Sequence, residues 1–106
     1  MFHLGLEPER LSDDHIAELE RLSAQCSTDI ITMVSLANSG HPGGSMSTLP
    51  ALLTLYANAR VDPKAPLDAL RDRIIVSHGH ISPATYSSLA AFGFIDRDEE
   101  IGRAHV

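Results

Sequence analysis

Apolar residues recur at steps of three and four from Ile16 through Leu19, Leu22, Cys26, Ile30 and Met33 to Ala37, the spacing of one face of an α-helix. Ser12 or Asp13 can cap its start, and Glu18, Glu20, Arg21, Gln25 and Asp29 form its polar side. Gly40 can supply the left-handed residue that ends it, with Pro42 just beyond. Residues 39–44 then read as a tight glycine-rich loop. Leu49, Leu52, Leu53, Leu55 and Tyr56 predict a second, mostly buried helix. Pro50 restricts where that helix begins. A proline is tolerated in the first turn but costs about 3 kcal/mol in a helix interior, which favours Ser47 over Ser45 as the cap.

Residues 58–67, with Asp62-Pro63 and Ala65-Pro66, predict a connecting loop. After the charged Arg71-Asp72-Arg73, the run Ile74-Ile75-Val76 is β-branched, as expected of a buried parallel strand. Ser77 to Ile81 is loop. Ser82-Pro83 has the form of an N-cap followed by a proline in the first turn, and Tyr86, Leu89, Ala90 and Phe92 line a further helix up to Gly93. The expected order is helix, loop, helix, strand, loop, helix, an α/β arrangement without internal repeats.

With 106 residues, 43% hydrophobic and 21% charged, the chain has the length of at most one small domain and an ordinary globular composition. Three Phe, two Tyr and no Trp leave a large self-sufficient core doubtful. The formal net charge of −6, with acids concentrated in residues 7–20 and 96–100, argues against a nucleic-acid or anionic-membrane partner. No run of roughly eighteen apolar residues would span a membrane, and residues 1–7 lack the charged start of a secretory signal. Cys26 is the only cysteine, so no disulfide framework exists within the chain; a buried thiol in a reducing, cytoplasmic setting is expected.

The chemistry concentrates in two loops. The stretch between Val76 and Pro83 leaves the C-terminal end of the expected strand and enters a helix N-terminus. That is the crevice where α/β sheets bind ligands, and free N–H groups there favour an anion such as phosphate. His78 and His80 flank Gly79, and each imidazole can donate to a phosphoryl oxygen or exchange a proton with a substrate hydroxyl. His41 lies in the other loop, between Gly40 and Pro42-Gly43-Gly44. Spacing alone leaves two alternatives open: ordinary loop histidines, or a zinc triad of His41, His78 and His80 without an accompanying acid or cysteine. The common nucleotide-binding, nucleophile-elbow and zinc-protease motifs are absent.

Taken together, Asp29-Ile30, Met33-Val34, residues 37–45 (Ala-Asn-Ser-Gly-His-Pro-Gly-Gly-Ser), residues 72–82 (Asp-Arg-Ile-Ile-Val-Ser-His-Gly-His-Ile-Ser) and Tyr86 resemble the N-terminal part of transketolase. The resemblance covers residues 14–96. It implies a piece of a three-layer α/β domain that binds the pyrophosphate of thiamine diphosphate with Mg2+. The implied reaction is transfer of a two-carbon ketol unit between sugar phosphates. It also implies that His41 contacts donor-substrate hydroxyls and that His80 lies near the diphosphate and the reacting centre, both as catalytic residues, with Gly79 and Ser82 beside the cofactor. His78 departs from the family, where lysine or asparagine is common, and so does Pro50. By the same resemblance the complete enzyme forms its sites between subunits, which implies a homodimer.

The Gly-Asp-Gly…Asn signature that holds magnesium and diphosphate in this family is absent, as is the pyrimidine-binding domain. The resemblance therefore implies that residues 1–100 are an N-terminal fragment, inactive alone. Its metal ligands are expected in a continuation, and its partner is either a separate pyrimidine-binding subunit or the rest of the same enzyme chain. The alternative is a non-catalytic phosphate-binding module. Residues 101–106 back-translate to ATC GGA AGA GCA CAC GTC, a common sequencing adapter, and are expected to be a non-native tail that gives His105 no role.

Overall fold

The computed structural model describes Leu4 and residues 10–37 and 42–96. Three α-helices pack on one another in turn: α1 (Asp13–Ala37), α2 (Pro42–Asn58) and α3 (Ser82–Ala91), with a 3₁₀ turn at Gly79–Ile81 leading into α3. Their shared core holds Leu22, Cys26, Ile30 and Met33 of α1, Leu49, Leu52, Leu53 and Tyr56 of α2, and Ile81, Ala84 and Phe92.

The start of α1 is closed by a reciprocal pair. The Ser12 Oγ accepts from the His15 N–H at 3.1 Å, and the His15 Nδ1 accepts from the Ser12 N–H at 3.1 Å. Histidine thus takes the place that Glu or Gln holds in a capping box, and Ser12 is the cap. The helix buries Leu22, Cys26, Ile30 and Met33 as its spacing predicts, while Ile16 stays 42% exposed. Asp29, expected on the polar side, is instead buried at 3% exposure between Cys26 and Met33 on the inner face. The Cys26 thiol is buried and donates to the Ser87 carbonyl at 3.6 Å. The Gly40 stop lies outside the described residues.

The second helix begins earlier than its proline suggests. α2 starts at Pro42, takes Gly43 and Gly44 into its first turn, and carries Pro50 in its interior. Ser47 is therefore no cap; its Oγ donates to the Gly44 carbonyl at 3.1 Å. The interior proline forgoes one helix hydrogen bond, at about 3 kcal/mol. Burial of Leu49, Leu52, Leu53 and Tyr56 offsets this, at roughly 1.5–3 kcal/mol for each large apolar side chain. Pro50 itself is exposed.

The expected α/β arrangement is not what the described residues adopt. They contain no strand, and residues 72–78 run without regular secondary structure. Ile75 is 85% exposed, and only Ile74 and Val76 pack partly against the helical core. A strand exists by virtue of its ladder neighbours, and no second segment among the described residues offers one. α3 also differs in detail. Its N-cap is Ile81, Ser82 is its first residue, and its fully buried positions are Ala84, Ser87 and Ser88, while Tyr86, Leu89 and Ala90 are half-buried. The small buried side chains let α3 lie close to its neighbours. Its C-terminus forms a Schellman motif: Gly93 at φ 83 lets its N–H reach the Ala90 carbonyl at 3.1 Å and the Phe94 N–H reach the Leu89 carbonyl at 2.8 Å. Phe92 and Phe94 are thereby brought to Tyr56, each with ring centroids 6.1 Å away.

Candidate functional site

The site is built where the first turn of α2 meets the 3₁₀ turn before α3. Gly44 and Thr48 are four residues apart on α2 and so share one helical face. A Cβ placed on Gly44 would stand 3.0 Å from both Cδ2 and Nε2 of His80, so the imidazole rests directly on the glycine backbone. One turn further on, the Thr48 Oγ1 is hydrogen-bonded to the His78 Nε2 at 3.2 Å. The two imidazoles lie side by side, with centroids 5.5 Å apart and planes tilted by 59°. Both histidines are exposed.

Gly79, between them, has open space on its Cβ side, so its backbone can be approached closely by a ligand. The Ser82 hydroxyl donates to the Gly79 carbonyl at 3.1 Å, which ties together two of the sequence candidates and closes the 3₁₀ turn. Ser82 thus acts from inside the first turn of α3 and not as its cap. Next to Gly44, the Ser45 Oγ is fully buried and has no hydrogen-bond partner among the described residues. Leaving such a hydroxyl unsatisfied costs about 1–3 kcal/mol.

The structure thus joins His80, Gly79 and Ser82 in one place and adds His78, Gly44 and Thr48. Thr48 carried no signal in the sequence, since a lone threonine in an apolar helix reads as filler. Its role depends on α2 starting at Pro42, which Pro50 obscured. His41 lies outside the described residues, as does any zinc triad that needs it. Among the described residues no three His, Cys, Asp or Glu side chains gather as metal ligands. Beside the histidines, an open groove of about 320 Å³ runs between Thr48, Ala51 and Leu55 on α2 and Ile75 to His78. A larger cavity, of about 430 Å³, is lined by Tyr56, Arg60, Asp68, Arg71, Phe92 and Phe94 and contains none of the sequence candidates. Burial raises the pKa of the Tyr56 hydroxyl there above the ordinary phenol value, keeping it a donor. Among the described residues no helix is long and apolar enough to cross a membrane.

The family model described as the transketolase thiamine diphosphate binding domain matches residues 20–103, a span that contains every element of this site. The chain belongs to this family. A transketolase of Kluyveromyces lactis is 41% identical over 64 residues, 60% of this chain and 9% of that protein. One subunit of the apulose-4-phosphate transketolase of Phocaeicola vulgatus is 38% identical over 84 residues, 78% of this chain and 30% of its own length. The 6-deoxy-6-sulfo-D-fructose transketolase subunit SqwG of a Clostridium species is 43% identical over 56 residues, 52% of this chain and 20% of its own. The chain therefore covers between 9% and 30% of the length of these relatives. No solved structure matches it.

Proposed function

We propose that this chain contributes the N-terminal part of the pyrophosphate-binding region of a transketolase-type enzyme, a cytoplasmic transferase. The enzyme moves a two-carbon ketol unit between sugar phosphates with thiamine diphosphate and Mg2+. The observation that carries this reading is the seat of His80 on Gly44, because it unites the two glycine-histidine loops whose motifs define the resemblance. Two exposed imidazoles and an open Gly79 backbone form a polar surface suited to phosphoryl oxygens.

In this reading His80 donates to the diphosphate and faces the reacting centre, with the Gly79 backbone and Ser82 beside it, while His41 contacts the hydroxyls of the donor sugar. Bound thiamine diphosphate supplies the carbanion-stabilising chemistry. The residues of this chain bind and orient it and hold protons at the imidazole nitrogens. The Mg2+ ligands come from further residues of the enzyme. The relatives whose names mark them as subunits support an arrangement in which the rest of the enzyme resides on a second chain; the other arrangement is a single longer chain that assembles as a homodimer. Completion of the domain supplies the strands that pair with residues 74–76 and gives the three-layer α/β fold.

The test is calorimetric titration of the chain with thiamine diphosphate and Mg2+, against inorganic phosphate as control. Preference for the cofactor, lost in His80→Ala, is the expected result. Equal affinity for both would make the surface a generic phosphate-binding module and end the proposal.

A further inference from the structure

The His80 imidazole is exposed and makes no hydrogen bond among the described residues, yet a ring that acts on a ligand must be held in one orientation. Two contacts constrain it. Gly44 provides a flat seat on one side, since any Cβ there would stand 3.0 Å from the ring. The His78 ring leans on it from another side at 5.5 Å between centroids. His78 is in turn fixed by the Thr48 Oγ1 at 3.2 Å from its Nε2. Gly44 and Thr48 stand one helical turn apart, so a single face of α2 grips both histidines.

We infer that Thr48 and His78 are positioning residues, a hydrogen-bonded brace that sets the orientation of the His80 ring against Gly44. The hydroxyl suits this role in either neutral tautomer of His78. It can donate to a bare Nε2 or accept from an Nε2–H, so the brace persists whichever nitrogen carries the proton. The consequence for cofactor binding rests on the function proposed above, whereas the orientation of the ring does not.

The experiment is therefore done first on the ligand-free chain, by NMR of the imidazole protons and nitrogens in wild type, Thr48→Val and Thr48→Ser. Both rings remain in all three, so the His80 Hδ2 and Hε1 resonances report the geometry of the pair and not the loss of a ring. Thr48→Val is expected to move the His80 resonances and Thr48→Ser to restore them. Unchanged His80 signals in Thr48→Val would overturn the inference, as would a change that Thr48→Ser leaves in place, because that would trace it to the helix and not to the hydroxyl. A second arm titrates thiamine diphosphate and Mg2+. Loss of one neutral hydrogen bond corresponds to about twofold to tenfold weaker binding, again recovered with serine. Absence of cofactor binding by the wild-type chain within the assembled enzyme would refute the proposed function, while the NMR arm would still decide the brace.

Discussion

Replacing Gly44 by alanine separates stability from function at the point where the two loops meet. The added methyl would lie 3.0 Å from two atoms of the His80 ring, when ordinary van der Waals contact begins near 3.4 Å. The ring must therefore yield by a few tenths of an ångström. Because both atoms belong to an exposed side chain, the ring can swing outward at little cost to the fold. Alanine is also the better helix former, by about 0.5–1 kcal/mol relative to glycine. The net expectation for Gly44→Ala is unchanged to slightly raised stability, a Tm gain of about 8 °C at most for a domain of this size. Ligand binding should move the other way. Displacing His80 weakens a hydrogen bond to a charged group, worth about 1.5–3 kcal/mol, so affinity for thiamine diphosphate with Mg2+ falls by roughly tenfold to a hundredfold. Circular dichroism melting and calorimetric titration on the same samples read both quantities. A variant that melts no lower and binds as wild type would refute the reasoning, since His80 would then not owe its place to Gly44. A variant destabilised by about 2 kcal/mol or more would refute the claim that the ring can give way.

Three further outcomes are expected. Pro50→Ala should restore one hydrogen bond in the middle of α2 and raise stability by up to about 3 kcal/mol, read from denaturant or thermal melting; no gain would mean that the helix is bent around the proline in a way alanine cannot use. Tyr56 has a raised pKa through burial, so its neutral form is favoured in the folded state. Its contribution is complete below the ordinary phenol pKa and is lost as pH rises through the folded value, so stability should fall above about pH 10, less steeply in Tyr56→Phe, in melts across that range. In the assembled enzyme, His80→Ala should lower kcat about a hundredfold to ten-thousandfold, and His41→Ala should raise the donor KM or lower kcat; near-wild-type rates in both would show that neither histidine acts on substrate or cofactor.

What the sequence made legible was governed by local periodicity. The inner face of α1 followed from its three-and-four spacing because helix burial repeats with the helix itself, and the close of α3 at Gly93 followed from the one residue type that takes a positive φ without strain. Pro50 misled because its cost is local while the apolar burial that offsets it comes from α1 and α3. Asp29 was assigned to the polar side by its charge, yet its position three residues after Cys26 and four before Met33 places it on the buried face. The run 74–76 carries the composition of a buried strand, but composition does not supply the ladder neighbour a strand needs, and the described residues offer none. Of the candidate site, His80, Gly79 and Ser82 were accessible through motif and loop chemistry. Thr48 was not, because its importance arises only when α2 begins early enough to place it one turn beyond Gly44.

The solvent-facing Ile75 has a consequence for self-association. α1, α2 and α3 enclose a core, whereas residues 74–76 have no ladder neighbour among the described residues. The chain thus carries an apolar, β-branched stretch capable of pairing with the same stretch of another copy. The net charge of −6 opposes that encounter by mutual repulsion, so salt, which screens it, should hasten self-association. The excess of acidic residues would then guard the chain against self-pairing.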